Sequence, residues 1–197
     1  MLYQVRAFRV LFALVLGSAA IAGCGSNSQG GNSDGGDKAG GLVTLEVLKV
    51  DEIQTLLASH KDKKVVVVDY WSTSCEPCMK EFPGLVKLSE KYPDEVACVS
   101  VSLDFEGGKN KTPEMVADKV QKFLASQKAT KVKNILSGTP SDEVMAAPGL
   151  GLDNGSPPLV LVYARDGNLA KKFDNSGDDH FTYADIEKLV AELLAKK

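Results

Sequence analysis

The sequence predicts an α/β fold of three layers: a central mixed β-sheet between helices, with an α-β insertion. Three observations lead there. Val65 to Trp71 is a nearly continuous apolar, β-branched run, the pattern of a central strand buried on both faces. A helical pattern follows it and leads to a second such run, Glu95 to Leu103, which makes a strand–helix–strand unit with parallel strands. Near the C-terminus Leu159 to Tyr163 is followed by the turn Arg165-Asp166-Gly167-Asn168 and by Leu169 to Phe173, an antiparallel hairpin.

The elements follow in order. Residues 1–23 do not belong to the fold. Met1 to Arg9 is a basic stretch and Val10 to Ala20 an apolar one, too short to span a bilayer comfortably. Ile21-Ala22-Gly23-Cys24 then resembles the bacterial lipoprotein signal, in which a cysteine after small residues is lipidated and becomes the new N-terminus. The alternative is an ordinary secretory signal with Cys24 a bystander; both readings export the chain. Residues 24–41 are rich in Gly, Ser and Asn and have no apolar face, so they read as a flexible tether between lipid and domain. The domain is expected over residues 42–197.

Leu42 to Leu48 has β character. Asp51 is placed to cap a helix over Glu52 to Ser59 that buries Ile53, Leu56 and Leu57. After the strand Val65–Trp71, the spacing of Phe82, Leu85, Val86, Leu88 and Tyr92 predicts a helix from Glu76. Pro83 inside it removes one backbone hydrogen bond and kinks it. Thr112-Pro113-Glu114 opens another helix, cap then proline, with Met115, Val116, Val120, Phe123 and Leu124 on its apolar stripe. Val132 to Leu136 reads as a short strand, Ser141 to Met145 as a helical turn or two, and Pro148 to Ser156 as irregular. Asp174 to Asp179 reads as a polar loop, and Thr182 to Ala195 as a closing amphipathic helix.

Composition narrows the function. The net charge is −3 and no basic cluster occurs, which excludes a nucleic-acid footprint. Gly108-Lys109 is not a phosphate loop, because position 103 is Leu and position 110 is Asn. Of the four cysteines, Cys24 is the anchor and Cys98, between Ala97 and Val99 in a strand, an inert core residue. Cys75-Glu76-Pro77-Cys78 opens the helix after the first central strand. A thiol there faces unpaired N–H groups and the positive end of the helix dipole, which favour thiolate. Cys75 is therefore the nucleophile and Cys78 the resolving thiol. A structural disulfide or half a zinc site is the bland alternative, but zinc wants two more ligands. His60 and His180 are the only histidines, both far from Cys75 in sequence. Met79 after Cys78 excludes a c-type haem motif, and a peroxide-reductase cysteine pattern is absent. No metal and no cofactor beyond the Cys75–Cys78 disulfide are expected.

The run Val68-Asp69-Tyr70-Trp71, the Cys75–Cys78 motif, Lys80-Glu81-Phe82-Pro83 and the segment Pro158 to Gly167 together resemble the thioredoxin fold. The local match is to its exported, membrane-tethered TlpA/ResA-like branch, over residues from roughly 42 to 196. The resemblance implies several roles. Asp69, a carboxyl in an apolar strand, passes a proton with Cys78; otherwise it is a hydrogen-bonded strand-end residue. Glu81 shapes the site or lies on a solvated helix face. Glu76 and Pro77 tune the cysteines, or Glu76 points to water. Pro158 is cis and packs against the cysteines, or is an edge-strand proline. Trp71 is part packing, part lid near Cys75. Two positions depart from the family. Ser74 stands where many relatives have Trp, and Pro157 lacks an N–H for a docked chain, so partner docking is expected to differ there.

The expectation is an exported, lipid-anchored thiol–disulfide oxidoreductase facing the periplasm. It reduces disulfides of other exported proteins, as in cytochrome c maturation, and is recharged by a thiol donor at the membrane. The alternative is a tethered module whose dithiol captures a metal or a client protein without turnover.

Overall fold

The computed structural model describes residues 41–60, 62–153, 155–174 and 180–196. The leader, Cys24, the tether and most of the 174–179 loop lie outside the described residues. The elements are β1 (Glu46–Leu48), α1 (Val50–Ser59), β2 (Val65–Trp71), α2 (Glu76–Lys91), β3 (Val96–Ser102), α3 (Glu114–Ser126), β4 (Lys133–Ser137), α4 (Ser141–Ala146), β5 (Leu159–Ala164), β6 (Leu169–Asp174) and α5 (Tyr183–Ala195). They form one six-stranded mixed sheet in the order β1-β4-β3-β2-β5-β6. The strands β1, β4, β3 and β2 run parallel, while β5 is antiparallel to β2 and β6 to β5.

Every residue of β2 and β3 is buried, as a central strand covered on both faces requires. Alternation divides the β2 side chains between two layers. Val65, Val67 and Trp71 pack with Phe82 and Leu85 of α2, Val120 and Leu124 of α3, and Ile186 and Val190 of α5. Val66, Val68 and Tyr70 pack on the other face with Ile53 of α1, Val144 of α4, Leu150 and Leu152. Asp69 belongs by alternation to the α2/α5 face.

Several boundaries differ from expectation by a residue or more, three of them for a visible reason. The first strand covers Glu46–Leu48 rather than Leu42 to Leu48. The Val43 and Thr44 carbonyls instead accept from the side chains of Gln121 (2.8 Å) and Asn134 (3.2 Å), which takes them out of the ladder. Helix α1 starts at Val50, so Asp51 lies in its first turn and is not the cap. Glu52 reaches back to the Lys49 N–H at 2.8 Å, and Thr139 Oγ1 accepts the Val50 N–H at 3.1 Å. Helix α3 starts at Glu114, with Pro113 already in helical dihedrals just before it.

Candidate functional site

Strand β2 delivers the chain to a tight turn, in which the Cys75 N–H donates to the Ser72 carbonyl at 3.1 Å. Cys75 is the N-cap of α2 in extended conformation, and its Sγ accepts the Cys78 N–H at 3.3 Å. Pro77 in the first turn has no N–H to leave unpaired. Cys75 and Cys78 are joined by a disulfide, with Cα atoms 5.2 Å apart. Cys75 is half-buried while Cys78 is buried. The sulfur that outside groups can reach is thus the one at the helix N-terminus, where a thiolate is favoured.

The loop before Cys75 is held from the side by Asp104, the second residue after β3. Its carboxylate accepts the Thr73 N–H at 3.0 and 3.2 Å, the Thr73 hydroxyl, and the Ser102 hydroxyl at 2.7 Å. Lys119 of α3 completes the group at 2.9 Å. Burial pushes the Asp104 carboxyl up, but hydrogen bonds from Thr73, Lys119 and Ser102 outweigh it and hold it below the usual carboxylate range.

Beneath the helix lies Asp69, 3% exposed. Burial raises its pKa from 3.8 to about 7, against a lowering hydrogen bond from Tyr183 and with a smaller raising effect of Glu81. The Tyr183 hydroxyl donates to Asp69 Oδ2 at 2.5 Å. The Tyr183 backbone N–H, one of the unpaired donors of the α5 N-terminus, donates to Glu81 Oε2 at 3.1 Å. Glu81 of α2 and Asp69 of β2 are therefore bridged by one residue of α5. Cys98, opposite Val67 on β3, is a buried free thiol whose pKa is pushed up to about 12, by burial first and by Asp69 second.

The remaining predicted residues are placed as follows. Glu76 and Pro77 are exposed at the rim of α2. Pro83 lies inside α2, where the Met79 carbonyl has no i+4 donor. The Pro157–Pro158 peptide is cis. Pro158 immediately precedes β5, whose Leu159 pairs with Tyr70, so it lies at the Trp71 end of the sheet with the cysteine loop. Trp71 is not a lid: it is fully buried, its ring 5.0 Å from Phe82 and 4.8 Å from Phe123 between centroids. Strand alternation turns it into the core, away from solvent. Ser74 is exposed and its hydroxyl lies 2.9 Å from that of Ser72. His60 lines a pocket of about 470 Å³ with Leu57, Val66, Tyr163 and Arg165, at the opposite end of β2 from the cysteines. Among the described residues no three His, Cys, Asp or Glu side chains group as metal ligands. No described helix is long and apolar enough to cross a membrane.

Sequence reasoning missed Tyr183, Thr73 and Asp104. Tyr183 follows a helix cap and carries no local mark of function. Asp104 had a usable signal: β2 and β3 are parallel, so the loops that follow them emerge at the same end of the sheet.

Comparison with known proteins agrees with this geometry. Residues 36–190 match the family model described as Redoxin. A stretch of 46 residues is 41% identical to the thioredoxin-like protein YneN of Bacillus subtilis, which is 23% of this chain and 26% of that protein. The match thus spans about a quarter of that relative's length. The solution structure of a thioredoxin-like protein in the oxidised form superposes with a TM-score of 0.52 at 20% identity, over 68% of this chain and 80% of the other. A DsbF homologue from Corynebacterium diphtheriae superposes with a TM-score of 0.51 at 21% identity, over 69% and 75%. Those likenesses establish a thioredoxin-like fold. With the disulfide of Cys75–Cys78 at the head of its helix and the family match over most of its length, the chain belongs to the Redoxin family.

Proposed function

We propose that this protein is an exported thiol–disulfide oxidoreductase that reduces disulfides in other extracytoplasmic proteins, tethered to a bacterial membrane by lipid on Cys24. The observation that carries the reading is the asymmetric pair: half-exposed Cys75 capping α2, bonded to buried Cys78. In the reduced protein the Cys75 thiolate attacks one sulfur of a client disulfide. A Cys75–client bond forms, the client S–S bond breaks, and the leaving client thiolate takes a proton from solvent. The Cys78 thiol then gives its proton to the Asp69 carboxylate through water. The Cys78 thiolate attacks Cys75 Sγ, the Cys75–Cys78 bond forms, and the electron pair leaves on the second client sulfur, which takes a proton from solvent as Asp69 releases to solvent the one it accepted. The client gains two electrons and two protons, and the pair ends oxidised. A thiol donor at the membrane returns two electrons by the reverse exchange.

The leader and the Gly/Ser/Asn segment support export and tethering. The resemblance of the cysteine motif and its flanking residues to the TlpA/ResA-like branch makes the disulfide of apocytochrome c one class of client. The test is equilibration of the Cys75–Cys78 pair against a glutathione or dithiothreitol couple. A reductase gives a potential near that of thioredoxin, about −270 mV; a value near about −120 mV marks an oxidant and overturns the proposed direction.

A further inference from the structure

We propose that Tyr183 is a positioning residue of the redox centre, whose hydroxyl, held over Asp69 by Glu81 and by the gap at Gly84, keeps the Asp69 carboxyl competent to accept the Cys78 proton. The proposal rests on the thiol–disulfide reading of Cys75–Cys78 and adds a control element supplied by the last helix.

The geometry is specific. The phenol has one proton, and at 2.5 Å from Asp69 Oδ2 it donates that proton to the carboxyl. Both groups are buried, so the bond is made where few other donors reach. A donor to the ionised form favours ionisation. Without it, a carboxyl in an apolar layer is more fully protonated through the neutral range and has less capacity to take a proton from a thiol.

Three features fix the segment that carries the ring. The Tyr183 N–H is anchored on Glu81 Oε2 at 3.1 Å. Thr182 caps α5, its N–H and hydroxyl each 2.9 Å from Asp185 Oδ2. Gly84 leaves the space: a Cβ there would fall 2.2 Å from Tyr183 Cβ and Cγ, inside any real contact. Position 84 thus bars every side chain so that the Tyr183 side chain can pass α2 on its way to β2.

The groups around Asp69 come from each element packed on it. Glu81 faces it from α2, Tyr183 from α5 and Cys98 from β3. Across the ladder β5 offers apolar Val160 and β3 offers Ser100. Among these described neighbours Glu81 opposes a charge on Asp69 and Tyr183 supports it, while Cys98 is a thiol that the Asp69 charge holds in its neutral form. During turnover the proton leaves Cys78 Sγ for Asp69, the Cys78 thiolate forms the bond to Cys75 Sγ, and the client sulfur departs with its electron pair. Tyr183 keeps its own proton throughout.

The test is a carboxyl ¹³C NMR titration of Asp69 in the reduced full-length protein, wild type against Tyr183→Phe, with the pH profile of insulin disulfide reduction measured in parallel. The expected result is an Asp69 midpoint raised by about one pH unit, the size expected for loss of one hydrogen bond to a charged group. The profile's alkaline-rising limb moves up with it. An unmoved Asp69 midpoint in folded Y183F overturns the proposal. Should circular dichroism show Y183F unfolded, 3-fluorotyrosine at position 183 replaces it. Its more acidic hydroxyl is a stronger donor and lowers the midpoint; no movement overturns the proposal there too. The two readings fail separately. A midpoint that moves in a protein without turnover upholds the Tyr183–Asp69 coupling and removes the oxidoreductase reading, while an unmoved midpoint in an active enzyme removes the coupling alone.

Discussion

Replacing Asp69 by Asn should make the protein more resistant to unfolding at alkaline pH, and the structure gives the size. The Asp69 carboxyl titrates near 3.8 when exposed and is raised to about 7 in the fold. The folded state therefore holds this proton more tightly than the unfolded state. Protonation-linked stability is complete below 3.8 and is lost as pH rises through about 7. A difference of about 3 pH units corresponds to roughly 4 kcal/mol, of which about 3 kcal/mol falls between about pH 4.5 and 8.5. The side-chain amide of D69N does not ionise. Its carbonyl still accepts from Tyr183, while its N–H groups lack the partner a carboxylate does not need, at a cost of about 1–2 kcal/mol. That cost is independent of pH and cancels when the two proteins are compared across pH. The assay is urea unfolding of both proteins, oxidised, at about pH 4.5 and 8.5. Other titrating groups, Cys98 included, are common to both and subtract out. The expected result is that wild type loses about 3 kcal/mol relative to D69N on going to the higher pH. Parallel stability curves for the two proteins would refute a desolvated carboxyl at the heart of the site.

Two further outcomes follow from the same contacts. Asp104→Ala removes the acceptor for Thr73 and Ser102 and should cost about 2–3 kcal/mol at neutral pH. The Asp104 carboxyl is held low, so this contribution is present above the ordinary carboxylate range and lost as pH falls through its folded pKa. Hydrogen exchange at the Thr73 amide should quicken in D104A while that of Val67 stays slow; unchanged exchange at Thr73 would refute its role in holding the loop. Cys78→Ser should accumulate a client–Cys75 mixed disulfide that non-reducing gels resolve and dithiothreitol cleaves. Equal amounts of adduct in wild type would show that Cys78 does not resolve it.

Much of the molecule was legible in the chain because it is local. Cys75 caps α2, and its neighbours within a turn set both its exposure and its donors. Burial of β2 on both faces followed from Val65 to Trp71 alone, and the β5–β6 hairpin from its turn residues. Asp69 announced itself as a carboxyl where a strand should be apolar. The first strand came out shorter because the side chains of Gln121 and Asn134, distant in sequence, claim the Val43 and Thr44 carbonyls.

The cysteine pair, its place at a helix N-terminus and the buried carboxyl beneath it were determined by the sequence alone, since each depends on residues within a few positions of one another. Only the tertiary structure decided what surrounds them. Asp69 meets Tyr183 across 114 positions, Glu81 meets it across 102, and Asp104 reaches Thr73 across 31. The rotation of Trp71 into the Phe82–Phe123 cluster likewise depends on which face α2 and α3 cover. These contacts have no period or spacing that a sequence can display. They exist because α5 packs beside α2 over β2, and because Gly84 leaves the room for one tyrosine to pass.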